Sequence, residues 1–509
     1  MSDWTSGYVA EIGYTFGYYT ELNPLRIQLA FLDQGLVFPK VGTACELGFG
    51  QGLSANIHAA ASAVQWSGTD FNPSQASFAQ ELASASGSST RFFDDAFAEF
   101  ANRTDLPDFD YIGLHGIWSW ISNENRAVIV DFIRRKLKVG GVLYVSYNTQ
   151  PGWSSFAPVR HLLTEHAQVM GAQGQGIVSR VDGAMDFAGK LLATNPAFGR
   201  GSPLVSERLN QIKGQSREYL AHEYFNRDWH PMYFSDMAEW LAPAKVQFGC
   251  TADYIGLIDA VNMTDEQSTF LGDIQDSVFR QSVRDFMLNQ QFRKDYWVKG
   301  IRKISLIEKK EAQRSQRVIL TTPRADVPIK LAAPIGEAKL QEEIYKPLLD
   351  LMADHMPRSL GEMEVALKDQ KIQFNQIVQA VMLLSGMGHL YAVQEITPEN
   401  SKRADSLNLH LMQKARGSKD VIFLASPLTG GGHEVRRFQQ MFLLAFKNGK
   451  KNVDEWAQFA WTVLSAQNQK MLKAGQVLES EDDNLVELNT LAQVFADKQL
   501  PILKALHIA

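Results

Sequence analysis

Two cysteines among 509 residues, Cys45 and Cys250, exclude a disulfide-stapled scaffold and a cysteine-cluster metal site. No apolar run approaches the ~20 residues that span a bilayer, which excludes stable membrane insertion. A net charge of −6 offers no basic excess, so phosphate-driven nucleic-acid binding is not expected. The opening MSDWTSGYVAEIGY lacks the basic segment and apolar core of a secretory signal, and a cytoplasmic location is expected. The chain is too long for one hydrophobic core, and roughly two to four domains are expected.

What is present alternates. From residue 41 to 147, short apolar runs (VGTACEL, VQWSGTDF, TRFFDD, FDYIGLHG, GVLYVSYN) are separated by amphipathic stretches such as PSQASFAQELASAS and NENRAVIVDFIRRKLK. Strand–helix alternation at this spacing predicts a parallel, doubly wound α/β sheet over residues 1–150. Gly140-Gly141 is expected to cap the last helix before the final strand. AKVQFGC and DYIGLIDAV, within 243–262, read as strands able to complete the sheet edge. Residues 151–330 carry polar helical pattern and aromatics, 331–400 read as a winged-helix-like module, and 401–509 as mostly helix. The module's helix FNQIVQAVMLLSGMG has no Lys or Arg, so protein docking or scaffolding suits it better than DNA.

The glycine turn ELGFGQG, residues 46–52, follows the first strand. A P-loop would need Lys-Ser/Thr after the last glycine, and Leu53-Ser54 stand there instead. Gly50-x-Gly52-x-x-Ala55 fits dinucleotide spacing, with Asp70 at the ribose-binding distance. Glu46, however, would face a diphosphate with like charge, and more acids follow at Asp94 and Asp95. Acids after strands one, two and three suit a ligand bearing a sulfonium, an ammonium, a ribose diol and an adenine amine. S-adenosylmethionine has all four. Bare glycine backbone also lets its methionine part approach closely.

CELGFGQGLSANIHAAA, GTDFNPSQ, GLHGIWSWIS and YVSYNTQPGW resemble the class I S-adenosylmethionine-dependent methyltransferases that carry a methyltransferase regulatory domain. YLAHEYFNRDWHPMYFSDMAEWLAPA and FRKDYWVKG resemble that regulatory domain, and the group includes rickettsial-type bacterial protein-lysine methyltransferases. The resemblance covers residues 8–320 and implies a Rossmann-like methyltransferase domain (1–150) with mostly helical additions. Of these, 151–330 is implied to be a regulatory, substrate-covering or dimerisation region. By position, Glu46, Gly48 and Gly50 would hold the methionine part, Asp70 the ribose and Phe71 the adenine face. Asp95 and the Ala96 backbone would read the adenine edge. His115, Gly116 and Trp118 would face the sulfonium and acceptor, with Tyr14, Tyr18 and Tyr19 as a lid.

The expected reaction is methylation of a protein lysine, in the absence of any metal. Candidate channel aromatics are Trp118, Trp120, Tyr147, Trp153, Tyr219 and Tyr224, with His222 or Glu223 as proton acceptor. The competing readings are small-molecule O- or N-methylation and an inactive methyltransferase fold kept as a binding scaffold. QMFLLAF suits either a core stripe or a homodimer interface, and His58 reads as structural.

Overall fold

Seven strands carry the catalytic half: β1 (Thr43–Leu47), β2 (Gln65–Thr69), β3 (Arg91–Phe93), β4 (Phe109–Leu114), β5 (Leu137–Asn148), β6 (Val246–Thr251) and β7 (Phe292–Lys299). A computed structural model of the chain describes residues 15–171, 174 and 176–509. The strand order is β3-β2-β1-β4-β5-β7-β6. β1 to β5 pair in parallel, whereas β7 runs antiparallel to both β5 and β6. Strand order reverses between β1 and β4, and the carboxyl ends of those strands flank the crevice where ligands bind in such sheets. Glu46 aligns with Gly68 of β2 and Gly113 of β4, so the last residues of three strands share one rim.

Local chemistry sets the flanking helices. Asn72 accepts from the Ser74 N–H at 3.0 Å to start the helix Pro73–Ser86, and Gly87 ends it at φ +67°. Helix Leu53–Ala61 is buried along its whole length. Its Ala55 and Ala59 join the core over the sheet, while Leu53, Ile57, Ala60 and Ala61 pack with Leu407, Leu411 and Leu424 of the C-terminal region. Small residues on both faces permit that double packing. His58 sits inside it, 3.1 Å from the Gly430 carbonyl, and burial pushes its imidazole down to about 4.

Three further assemblies complete the chain. Helices between Ala157 and Tyr224 close over their own core of Trp153, Phe156, Leu163 and Leu209. Residues 317–392 form a three-stranded sheet with helices Glu342–Leu351, Leu360–Ala366 and Phe374–Gly386. Its buried side chains are continuous with one face of the large sheet, through Val318, Leu348 and Leu384. The rest, to Ala509, is mainly helical. Among the described residues no helix is long and apolar enough to cross a membrane.

Two expectations need correction. DYIGLIDAV forms a 3₁₀ turn (Ile255–Leu257) and a short helix (Asp259–Asn262) instead of a strand, because the Asp253 carboxylate accepts the Ile255 N–H at 3.1 Å and bends the chain. Nor do the paired glycines cap the preceding helix. It ends at Lys136, the backbone turns extended at Leu137, and Gly140 (φ +82°) lies within β5, where the β4 pairing shifts register.

Candidate active site

A cavity of about 390 Å³ opens at the carboxyl ends of β1, β2 and β4. Its floor is the turn after β1. Gly48 and Gly50 have φ of +70° and +57°, and a Cβ on Gly48 would come within 2.6 Å of the Ile117 side chain. Only glycine keeps that backbone bare beside the cavity.

Asp70 ties the turn down. Its carboxylate accepts the Gly50 N–H at 2.9 Å and the Asn72 N–H at 3.0 Å. Glu46 is 3% exposed, and among the described residues its Oε2 has no hydrogen-bond partner. A buried, unpartnered carboxylate oxygen on a ligand cavity is an unfilled demand for a donor. Burial, with Asp70 beside it, pushes the Glu46 carboxyl up to about 8, and burial pushes Asp70 up to about 7. Two neighbouring carboxyls held partly neutral are set to ionise when a cation arrives.

The adenine-side candidates are close by. Phe71, Asp95 and Ala96 line the cavity. Asp95 accepts from Arg103 Nη1 at 3.0 Å, and Asp94 is exposed. His115 and Gly116, directly after β4, form the opposite wall, where the Gly116 N–H donates to Ser146 Oγ at 2.8 Å. His115 Nδ1 lies 2.8 Å from the Tyr144 hydroxyl, and the Tyr19 ring stacks on the imidazole at 3.7 Å. Burial lowers this imidazole to about 3, so it is neutral at any working pH.

Other expected residues lie elsewhere. Tyr14 falls outside the described residues. Tyr18 turns from the cavity to pack 5.3 Å from His58 and 5.1 Å from Phe423. Trp118 is fully buried, its indole N–H donating to Met232 Sδ at 3.3 Å; Trp120 reaches the cavity instead. The reason is the 3₁₀ turn Trp118–Trp120, which points alternate residues in different directions. Tyr219 and His222 sit on helix Arg217–Tyr224 and do not line the cavity. His222 is buried and Tyr219 half exposed, since Leu220, Ala221 and Tyr224 give that helix its inward face. Glu223, beside Arg160, is also off the cavity, and burial raises it to about 7.

The residues that sequence reading missed come from a distant segment. Arg227 and Asp228, just after that helix, line the cavity along with Trp120, Ser122 and Glu124. They lie in YFNRDWHP, but nothing local in that word marks them as facing the sheet.

Residues 216–299 match the family described as "Predicted methyltransferase regulatory domain". The uncharacterized protein sll1526 of Synechocystis sp. is 39% identical over 515 residues, covering 99% of this chain and 100% of that protein. The uncharacterized protein RP789 of Rickettsia prowazekii is 24% identical over 204 residues, covering 37% of this chain and 34% of its own length. Among solved structures, PKMT2 from Rickettsia typhi in complex with AdoHcy has a TM-score of 0.69 at 16% identity, covering 97% of this chain and 99% of that one. At that identity the likeness establishes a shared fold.

Proposed function

This chain belongs to the class I S-adenosylmethionine-dependent methyltransferases that carry a methyltransferase regulatory domain, and on that premise we propose that it methylates lysine amines on a protein. The observation that carries the reading is Glu46: a buried, unpartnered carboxylate oxygen beside a bare glycine turn, with a second raised acid at Asp70. Those features fit a cationic nucleoside and oppose a diphosphate.

Glu46 takes the ammonium of the methionine part, and Asp70 the ribose hydroxyls. Phe71 packs the adenine face, and Asp95 with the Ala96 backbone meets its edge. When bound, S-adenosylmethionine supplies a methyl carbon on a positively charged sulfur, open to attack by a lone pair. The chain's remaining task is to align a neutral acceptor against that carbon. A lysine gives up its proton at pH 7 at a cost of about 4.6 kcal/mol. The half-buried wall of Tyr19, His115 and Ile117 lowers this cost by disfavouring the ammonium. His115, held near 3, is too weakly basic to store the proton; it orients the acceptor and adds no positive charge.

Cofactor binding follows pH with a definite sign. In the free protein the neutral forms of Glu46 and Asp70 are favoured, so the stability they contribute is full below about 4. It is lost as pH rises through about 7 and 8. A cationic ligand selects the ionised forms and releases protons. The thermal shift produced by S-adenosylmethionine should therefore grow between pH 6 and pH 8. Calorimetry in buffers of different ionisation enthalpy should register proton release, and proton uptake would contradict this assignment.

The acceptor is tested by incubating the enzyme and tritiated S-adenosylmethionine with fractionated cell lysate. Label recovered as ε-N-methylated lysine after complete protein hydrolysis is the expected result. Label confined to small molecules would defeat the lysine reading and leave metabolite methylation.

A further inference from the structure

Once Glu46, Asp70 and Asp95 are assigned to the nucleoside, the cavity still holds two carboxylates, Asp228 and Glu124. Among the described residues lining it, Arg227 is the sole Lys or Arg. The uncommitted wall is thus acidic and aromatic, which suits a cation and repels a phenolate or carboxylate acceptor.

Asp228 is built into place from outside the catalytic sheet. Its segment is pinned by His230 N–H donating to the Ser119 carbonyl at 2.8 Å and Met232 N–H donating to the Asn148 carbonyl at 3.0 Å. The Trp229 ring lies 6.3 Å from Trp120 and 5.0 Å from Trp153, beneath the Arg160 guanidinium at 4.9 Å. Arg160 also donates to the Asn226 carbonyl. Bonds on both sides of Asp228 fix its backbone, while its side chain stays 26% exposed, accepts a long hydrogen bond from Arg227 Nη2 at 3.3 Å and lies 3.7 Å from His230. A cation with better geometry can displace such pairs at little cost.

We propose that Asp228 and the Trp120 indole form the subsite that captures the acceptor as an alkylammonium, so that the regulatory region supplies half of the acceptor wall. Carboxylate and indole attract the same charge by different means, a charge-assisted hydrogen bond and a cation–π contact. The inference rests on the methyltransferase reading and deepens it. It makes a primary amine the substrate class.

The test needs no identified acceptor. S-adenosylhomocysteine is compared with two analogues in which a nitrogen replaces the sulfur, one carrying an aminopropyl arm and one a plain propyl arm. Wild type should bind the amine-bearing analogue about tenfold more tightly than the propyl one. Asp228→Asn should abolish that advantage and Trp120→Leu should reduce it, with affinity for S-adenosylhomocysteine held within about twofold as the check on folding. An advantage undiminished in Asp228→Asn, or missing in wild type, overturns the subsite while leaving the methyltransferase reading intact. Failure of wild type to bind S-adenosylhomocysteine overturns both.

Discussion

Asp70→Ala is expected to weaken S-adenosylmethionine binding by about 100-fold or more, from loss of charge-assisted hydrogen bonds of about 1.5–3 kcal/mol each. Two effects add. The ribose loses its acceptor, and the Gly50 N–H loses the carboxylate that holds it at 2.9 Å, so the glycine turn is no longer pinned. A third effect acts in the opposite direction. Without Asp70 beside it, Glu46 ionises more readily, which favours a cation. That gain is smaller, because a coulombic neighbour is the lesser cause of the Glu46 shift and burial the greater. Free-protein stability should change little, since removing a buried acid offsets the loss of two backbone contacts. Calorimetry and thermal unfolding together check this: wild-type affinity in a folded variant would remove Asp70 from the site.

Arg293→Ala should be the most destabilising single change in the sheet, at about 3–5 kcal/mol. The guanidinium, 4% exposed, donates to Asp285 at 2.6 Å, Asp295 at 2.8 Å and Gln281 at 3.0 Å. The Tyr147 hydroxyl donates to Asp295 at 2.9 Å. The network joins β5, β7 and helix Ser277–Leu288. Removing the guanidinium that bonds both acids leaves two buried carboxylates that repel each other. Burial already raises Asp285 to about 6, and in the variant, without the guanidinium beside it, its carboxyl must titrate higher still. The sign follows: the variant favours the neutral form of Asp285 more strongly than wild type does, so the loss is smallest at acid pH and grows as pH rises through about 6. Urea unfolding of both proteins at pH 5 and pH 8 measures the difference, and a pH-independent loss would contradict the argument.

The residues proposed to hold the nucleoside line one cavity, and they were legible as a group because they lie close together in the chain. Glu46, the glycines, Asp70 and Asp95 fall within one stretch of strand–turn–helix units, so each acid's position at a strand end follows from the alternation itself. The acceptor side was not legible. Whether Trp118 or Trp120 reaches the cavity depends on the phase of a three-residue turn, which an apolar word such as IWSWI does not encode. Helix Arg217–Tyr224 is locally clear, yet the face it turns inward is set by a core assembled from residues 153 to 212. Asp228 is harder still, since its approach to the sheet depends on pairings made after the chain has left it and returned. FRKDYWVKG raised the same difficulty. It resembles the regulatory region, and Phe292–Lys299 lies in the matched segment, yet as β7 it is also the strand between β5 and β6.

The helix Leu53–Ala61, which opens directly after the glycine turn, has no wet side. One flank belongs to the sheet and the other to helices and a strand of the C-terminal region, among them Leu407, Leu411 and Leu424. A fragment cut before residue 400 would therefore present Leu53, Ile57 and Ala60 to solvent beside the glycine turn proposed to hold the nucleoside. The catalytic half and the tail are in this sense a single machine part: the distal helices act as the back plate against which the binding loop is clamped.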